Sequence, residues 1–230
     1  ISRDEAYHPG QVIPAAGHVN LVPNASFECG TDGWGSAEGD RISGWGGGLN
    51  RLFGQIDPRE SFHGKQSLKI ELGPENVPVV SFDYYDLLRQ PIYAPLAGNM
   101  GFLEVRPGRK YTLSAFMKAD RDGTPTQLAV RAFGGGGPSK TVRLSRGWQR
   151  YWLTFTPTSR WCYVLAGPDL RKTGENPDPP QRATVWIDAV ELEQSEGPTE
   201  FAPRDQVELG LATDRLGNIF FDDDASAGKP

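Results

Sequence analysis

From Val19 onward, apolar and polar residues alternate in short runs that stop at glycine, proline, asparagine or aspartate. Ser67–Leu72 puts Leu68, Ile70 and Leu72 on one face. Tyr111–Ala119 does the same with Tyr111, Leu113, Ala115 and Met117, and Gln149–Thr156 with Tyr151, Leu153 and Phe155. Gln127–Phe133 sets Leu128, Val130 and Ala132 against Gln127, Arg131 and Phe133. In Val185–Glu193, strict alternation places Trp186, Val190 and Leu192 together. A period of two with polar partners predicts half-buried antiparallel strands. No run has the 3.6-residue spacing of an amphipathic helix. Turns are marked by Arg106-Pro-Gly, Asp122-Gly123, Gly134–Gly137 and Asn176-Pro-Asp-Pro-Pro180. Short strands at regular spacing predict two stacked sheets, an all-β antiparallel β-sandwich of the jelly-roll kind.

Composition agrees. The 28 glycines and 19 prolines make up about a fifth of the 230 residues, a surplus that suits turns and disfavours long helices. They are not spread evenly. Residues 1–18 are polar, proline- and glycine-dotted and aperiodic, a lead-in segment before a module over 19–204. Beyond Arg204, Gln206–Gly210 and Asn218–Phe221 read as two further strands, and the tail DDDASAGKP as disordered. The stretch 205–230 therefore reads as a linker or the start of a following β domain, in a chain cut from a longer protein.

Charge and residue supply narrow the chemistry. With 24 basic and 29 acidic residues the net charge is −5, so no electrostatic footprint for nucleic acid exists. No apolar run approaches the ~20 residues that span a bilayer. The N-terminus lacks the basic-then-apolar pattern of a signal peptide. Three histidines and two cysteines leave little for a zinc site, and no CxxC or HExxH spacing occurs. Cys29 and Cys162 form either one disulfide or two free thiols. Gly134–Gly137 lacks the Lys-Ser/Thr of a phosphate loop and reads as a turn. Asn24-Ala-Ser26 fits a glycosylation sequon by chance.

Several segments then resemble a known group. NLVPNASFECGTDGW (Asn20–Trp34) is similar to the opening of jelly-roll carbohydrate-binding modules of the clan containing families 4, 9, 16 and 22, with Ala25 where glycine is usual. SFHGKQSLKIEL (Ser61–Leu72), RPGRKYTLSAFMKAD (Arg106–Asp120), GWQRYWLTFT (Gly147–Thr156), VWIDAVELEQ (Val185–Gln194) and PTEFAPR (Pro198–Arg204) resemble later strands and the exit of such modules, in the same order. The resemblance implies a galactose-binding-like β-sandwich over roughly Val19–Arg204. Pro78–Leu103 and Gly167–Gln181 resemble the clan least and read as insertions, where binding surfaces diverge.

The resemblance also implies a structural calcium. It would be held by Glu28 and Asp188, on the first and last strands, with a backbone carbonyl of the His63-Gly-Lys65 turn, at Lys65. Calcium takes six to eight oxygens, which carboxylates and carbonyls supply. Ordinary surface acids are the competing reading.

Sugars offer apolar ring faces ringed by hydroxyls, so flat aromatic rings and polar side chains recognise them. Trp34, Trp148 and Trp186 fall at packing positions of the clan, and Tyr111, Tyr151 and Phe155 on apolar strand faces. The remaining candidates for ligand contact are Trp45, Tyr84, Tyr85, Arg131, Phe133, Trp152, Trp161 and Tyr163. In the clan's architecture, one sheet face forms a groove for the sugar chain. For each residue, packing beneath the insertions competes with ligand contact.

No pair of carboxylates announces glycoside hydrolysis, and no GxSxG elbow accompanies His8, His18 or His63. The leading expectation is a non-catalytic, monomeric carbohydrate-binding module, secreted, periplasmic or at the cell surface. It would hold a polysaccharide or oligosaccharide, of β-glucan or xylan type as a first guess, for a covalently linked catalytic domain. A structural spacer and a catalytic β-sandwich such as a polysaccharide lyase are the alternatives.

Overall fold

The computed structural model describes residues 19–31, 33–38, 41–42, 54–72, 79–80, 91–92, 96–99, 103–132, 136–180, 182–204, 210–213 and 219–222. Along these the strands are β1 (Trp34–Glu38), β2 (Arg41–Ile42), β3 (Gln55–Asp57), β4 (Ser67–Leu72), β5 (Val79–Val80), β6 (Pro91–Ile92), β7 (Leu96–Asn99) and β8 (Leu103–Glu104). They continue as β9 (Tyr111–Ala119), β10 (Thr124–Ala132), β11 (Ser139–Leu144), β12 (Gln149–Phe155), β13 (Trp161–Pro168), β14 (Ala183–Glu193), β15 (Gly210–Thr213) and β16 (Ile219–Asp222). The first sheet has the order β11-β10-β13-β7-β1-β2, with β8 also paired to β13. The second has the order β12-β9-β14-β4-β3. Every pairing is antiparallel. The protein is the all-β sandwich that the alternating pattern predicts.

The core lies between the sheets. Leu128, Val130, Val142, Leu144, Cys162, Val164 and Ala166 of the first meet Leu68, Ile70, Leu113, Ala115, Met117, Val185 and Ile187 of the second. Burial of such side chains is worth ~1.5–3 kcal/mol each and is the main force closing the sandwich. Turn chemistry is explicit in the β10–β11 connection. Gly137 has φ +139°, and a Cβ there would overlap the carbonyl of Val130. Gly136 and Gly137, the described part of the glycine run, thus lie in the connection between β10 and β11, held by the Ala132 N–H to Gly136 carbonyl bond (2.9 Å).

Three expectations need revision. Leu96–Asn99, assigned to an insertion, is a strand of the first sheet, between β13 and β1. Trp186 faces outward, as does Trp148, while Val185 and Ile187 face the core. The cause for Trp186 is a β-bulge. Pairing of β14 with β9 runs to Asp188↔Phe116 and resumes at Glu191↔Ser114. The extra residue, with Ala189 at φ +46°, shifts the alternation by one, so that Val190 and Leu192 face inward on the other parity. Strict period-two counting through the strand therefore puts Trp186 on the wrong face.

The bulge leaves backbone groups that β9 does not pair, and the opening segment supplies partners. Val190 N–H donates to the Ala25 carbonyl (2.9 Å), and Leu21 N–H to the Leu192 carbonyl (2.9 Å). The buried Asn20 side chain completes the set. Its Nδ2 donates to the Val190 carbonyl (3.0 Å), and its Oδ1 accepts from the N–H groups of Leu192 (3.1 Å) and Val22 (3.0 Å). The opening motif is thus the patch over the bulge of the closing strand.

Neither Cys162, in the core, nor the half-buried Cys29 forms a disulfide, which answers the choice left open by their spacing.

Candidate functional site

The register of the first sheet builds one row across its outer face, small except for Leu165 at its centre. Gly35 of β1 faces Gly98 of β7, which faces Leu165 of β13, then Ala129 of β10 and Ser139 of β11. Parallel to it run the rows Gly167–Gln127–Thr141 and Tyr163–Arg131. A sheet face with glycine and alanine in its middle row and polar or aromatic residues on both flanks has the chemical layout of a trough. The face is not open, however. Gln127, Arg131 and Tyr163 keep 1 %, 3 % and 6 % of their surface accessible, and Ala129, Tyr163 and Leu165 form a small apolar cluster. Trp161, at the β8 edge of the same face, is 39 % exposed. The Arg160 guanidinium lies 5.4 Å from its ring centroid and pairs with Glu104 (2.8 Å).

Polar groups are fixed along this face. The Arg131 guanidinium donates to the carbonyls of Val130 (3.2 Å), Gly137 (3.3 Å) and Pro138 (3.4 Å), tying β10 to its turn. Asp169 follows β13 and is fully buried. Its carboxylate accepts from Thr141 Oγ1 (2.6 Å), from the Arg171 backbone N–H (3.0 Å) and from the Arg171 guanidinium (2.8 and 2.9 Å). Burial pushes this carboxyl upward, but these donors outweigh it and hold it below the ordinary aspartate range. Asn176 Nδ2 clasps the loop through the carbonyls of Asp169 and Arg171 (both 2.8 Å). Gln127 Nε2 is buried and has no hydrogen-bond partner among the described residues. A buried donor left so costs ~1–3 kcal/mol.

The candidates from sequence are therefore divided. Arg131, Tyr163 and Trp161 share the outer face of the first sheet. Trp152 stands on the outer face of the second, on edge strand β12, 45 % exposed. The alternation that set Trp152 and Arg131 opposite their core rows is right for each strand, but the strands lie in different sheets. Trp45, Tyr84, Tyr85 and Phe133 lie outside the described residues. Gln127, Asp169, Arg171 and Asn176 were not singled out from sequence. Polar residues in an alternating strand read as solvated, and only the register shows them meeting.

The two acids of the implied calcium site meet one turn. Glu28 Oε1 accepts from the N–H groups of Lys65 (2.7 Å) and Gln66 (3.2 Å). Asp188 Oδ2 accepts from Phe62 (2.6 Å) and His63 (2.9 Å), and its Oδ1 from Ala189 (2.7 Å). Gly64, at φ +73°, makes room, because a Cβ there would overlap the Glu28 carboxyl. Asp188 is fully buried, and its carboxyl is pushed well above the ordinary range. Burial is the first cause, the nearby charge of Glu28 adds to it, and the three N–H bonds oppose it. Backbone N–H groups thus occupy Glu28 Oε1 and both Asp188 oxygens, and among the described residues no group of three or more His, Cys, Asp or Glu side chains gathers to hold a metal ion.

The two antiparallel sheets, with the opening motif patching the bulge of β14, define the class: an all-β antiparallel sandwich. No protein family matches the chain, and no curated protein sequence does. Among solved structures it is similar to a carbohydrate-binding module of family 61 in complex with β-1,4-galactotriose, at 13 % identity and TM-score 0.45, over 76 % of this chain and 99 % of that one. It is also similar to the family 22 xylan-binding domain of Paenibacillus barcinonensis Xyn10C, at 12 % identity and TM-score 0.42, over 76 % and 94 %. A family 4 module matches at 13 % identity and TM-score 0.40, over 62 % and 78 %.

Proposed function

We propose that the chain is a non-catalytic carbohydrate-binding module that holds a polysaccharide on the outer face of its first sheet. The carrying observation is the Trp161 ring, 39 % exposed at the β8 edge of that face, with the Arg160–Glu104 pair beside it. An exposed indole stacks on a sugar's C–H face, and the neighbouring charged pair bonds its hydroxyls. Few contacts and solvated hydroxyls imply affinity in the micromolar to millimolar range. Joined to a polysaccharide-active enzyme, the module raises that enzyme's effective concentration on its substrate. Such work belongs outside the cytoplasm. Affinity electrophoresis against neutral β-glucan, xylan and galactan tests the reading. Retardation by at least one, weakened by Trp161→Ala, is expected. Migration unchanged on every glycan removes it. The closed Ala129–Tyr163–Leu165 cluster favours a second reading, a structural spacer, and that same negative result would support it.

Glu28 and Asp188, with a backbone carbonyl at Lys65, would hold a structural calcium. The meeting of both carboxylates at one turn supports this, since a cation would offset the burial and the smaller Glu28 charge that together raise Asp188. The ion would supply cross-linking of the first and last segments rather than any chemistry on sugar.

A further inference from the structure

We infer that the outer face of the second sheet, with Lys140 reaching it from edge strand β11 of the first, carries a separate saccharide platform for an acidic polysaccharide, formed by Trp152, Lys140 and the Phe62–Trp148 pair. Trp148, the residue that precedes edge strand β12, and Trp152 within it share the outward parity. At ~3.3 Å per residue their positions are ~13 Å apart, the scale of an oligosaccharide rather than one sugar. Phe62 is 44 % exposed and stacks on Phe116, with centroids 3.5 Å apart and planes at 9°; the Trp148 centroid lies 6.4 Å from it. Large aromatic rings held in place and open to water match the apolar faces of pyranose rings.

Charge selects the ligand. The cations flanking the inner part of this face are already paired: Lys118 with Glu60 (2.6 Å), Lys69 with Glu71 (2.6 Å) and Arg150 with Glu191 (2.5 Å). Lys140 differs. Its ammonium stands 5.7 Å from the Trp152 ring centroid and donates to the Trp152 carbonyl (3.1 Å), with no carboxylate partner among the described residues. An exposed ammonium beside an exposed indole fits a sugar ring that carries a carboxylate. In a chain of net charge −5, this local complement is specific rather than a general basic field. The platform is separate from the trough on the first sheet: Lys140 lies on β11 of that sheet, but it pairs with the core-facing Leu128, on the opposite parity from the trough residues Ser139 and Thr141, and its ammonium bonds Trp152 of the second sheet.

The test is affinity electrophoresis of the full chain in gels containing polygalacturonate. The expected result is retardation of the parent chain, reduced at least fivefold in Trp152→Ala and in Lys140→Gln and suppressed by 0.5 M salt. Lys110→Gln removes a similarly exposed charge, one paired with Glu196, and is expected to leave retardation unchanged. Both substituted positions on the platform are exposed, so unaltered thermal unfolding confirms intact folding. Absence of retardation in the parent, retardation unaffected by Trp152→Ala and Lys140→Gln, or equal loss in Lys110→Gln overturns the inference. Binding of neutral glycans on the first sheet leaves each of these outcomes unchanged.

Discussion

Replacing Asn20 with alanine tests the account of the bulge. The side chain is buried at 2 % exposure and satisfies three backbone groups: the Val190 carbonyl and the N–H groups of Val22 and Leu192. Val22 and Leu192 are fully buried, so water does not replace the lost partners without opening the sandwich. Each stranded group costs ~1–3 kcal/mol, and the three are coupled, so the total falls at ~3–5 kcal/mol. For a domain of this size, each kcal/mol lowers Tm by ~2–4 °C, so the expected fall is ~6–20 °C. Thermal unfolding followed by tryptophan fluorescence measures it. Val19→Ala, one residue away at an exposed site, is the control and is expected to lie within ~0.5 kcal/mol of the parent. An Asn20→Ala variant melting within 2 °C of the parent refutes the claim that this side chain patches the bulge.

Other outcomes follow from the same geometry. Glu191 is pushed up to about 7 by burial and by the charge of Glu193, against the opposing Arg150 and the Ala202 N–H. Because its folded value lies above its unfolded one, its contribution is fully present below pH ~4.5 and is lost as pH rises through 7, by up to ~3 kcal/mol. Glu191→Gln is expected to flatten the fall in Tm between pH 5 and 8; an unchanged slope counts against this assignment. If Glu28 and Asp188 hold calcium, chelation lowers Tm and elemental analysis finds the ion, whereas an unmoved melt in metal-free protein removes it. Burial pushes the Cys162 thiol up to about 12, so a thiol reagent at pH 8 is expected to label Cys29 quickly and Cys162 only on unfolding. Rapid labelling of two thiols in the native protein contradicts that burial.

The exit segment shows why some of this was hidden. PTEFAPR resembles a module's exit, yet nothing in those residues announces what anchors it. In the structure, Glu193 accepts from the Thr199 N–H (2.8 Å) and hydroxyl (2.6 Å), Arg150 donates to the Thr199 carbonyl, and the Phe201 ring meets His63 edge-on at 4.9 Å. The anchors sit on β12, β14 and the turn after β3, up to 138 residues away along the chain. Local alternation reports which face a residue occupies on its own strand. It carries no information on which strand lies beside it.

The same limit divides the candidate binding residues. The sequence alone determined an all-β chain, the parity of Arg131 and Trp152 on their own strands, and the glycine turn between β10 and β11. Those features depend on period-two alternation and on φ angles that only glycine adopts easily, both of which are local. Tertiary structure decided that Arg131 and Tyr163 are neighbours on one sheet, that Trp152 is on the other, and that Trp186 faces outward. Strand order is set by non-local burial, and a single extra residue at Asp188–Glu191 inverts every face beyond it.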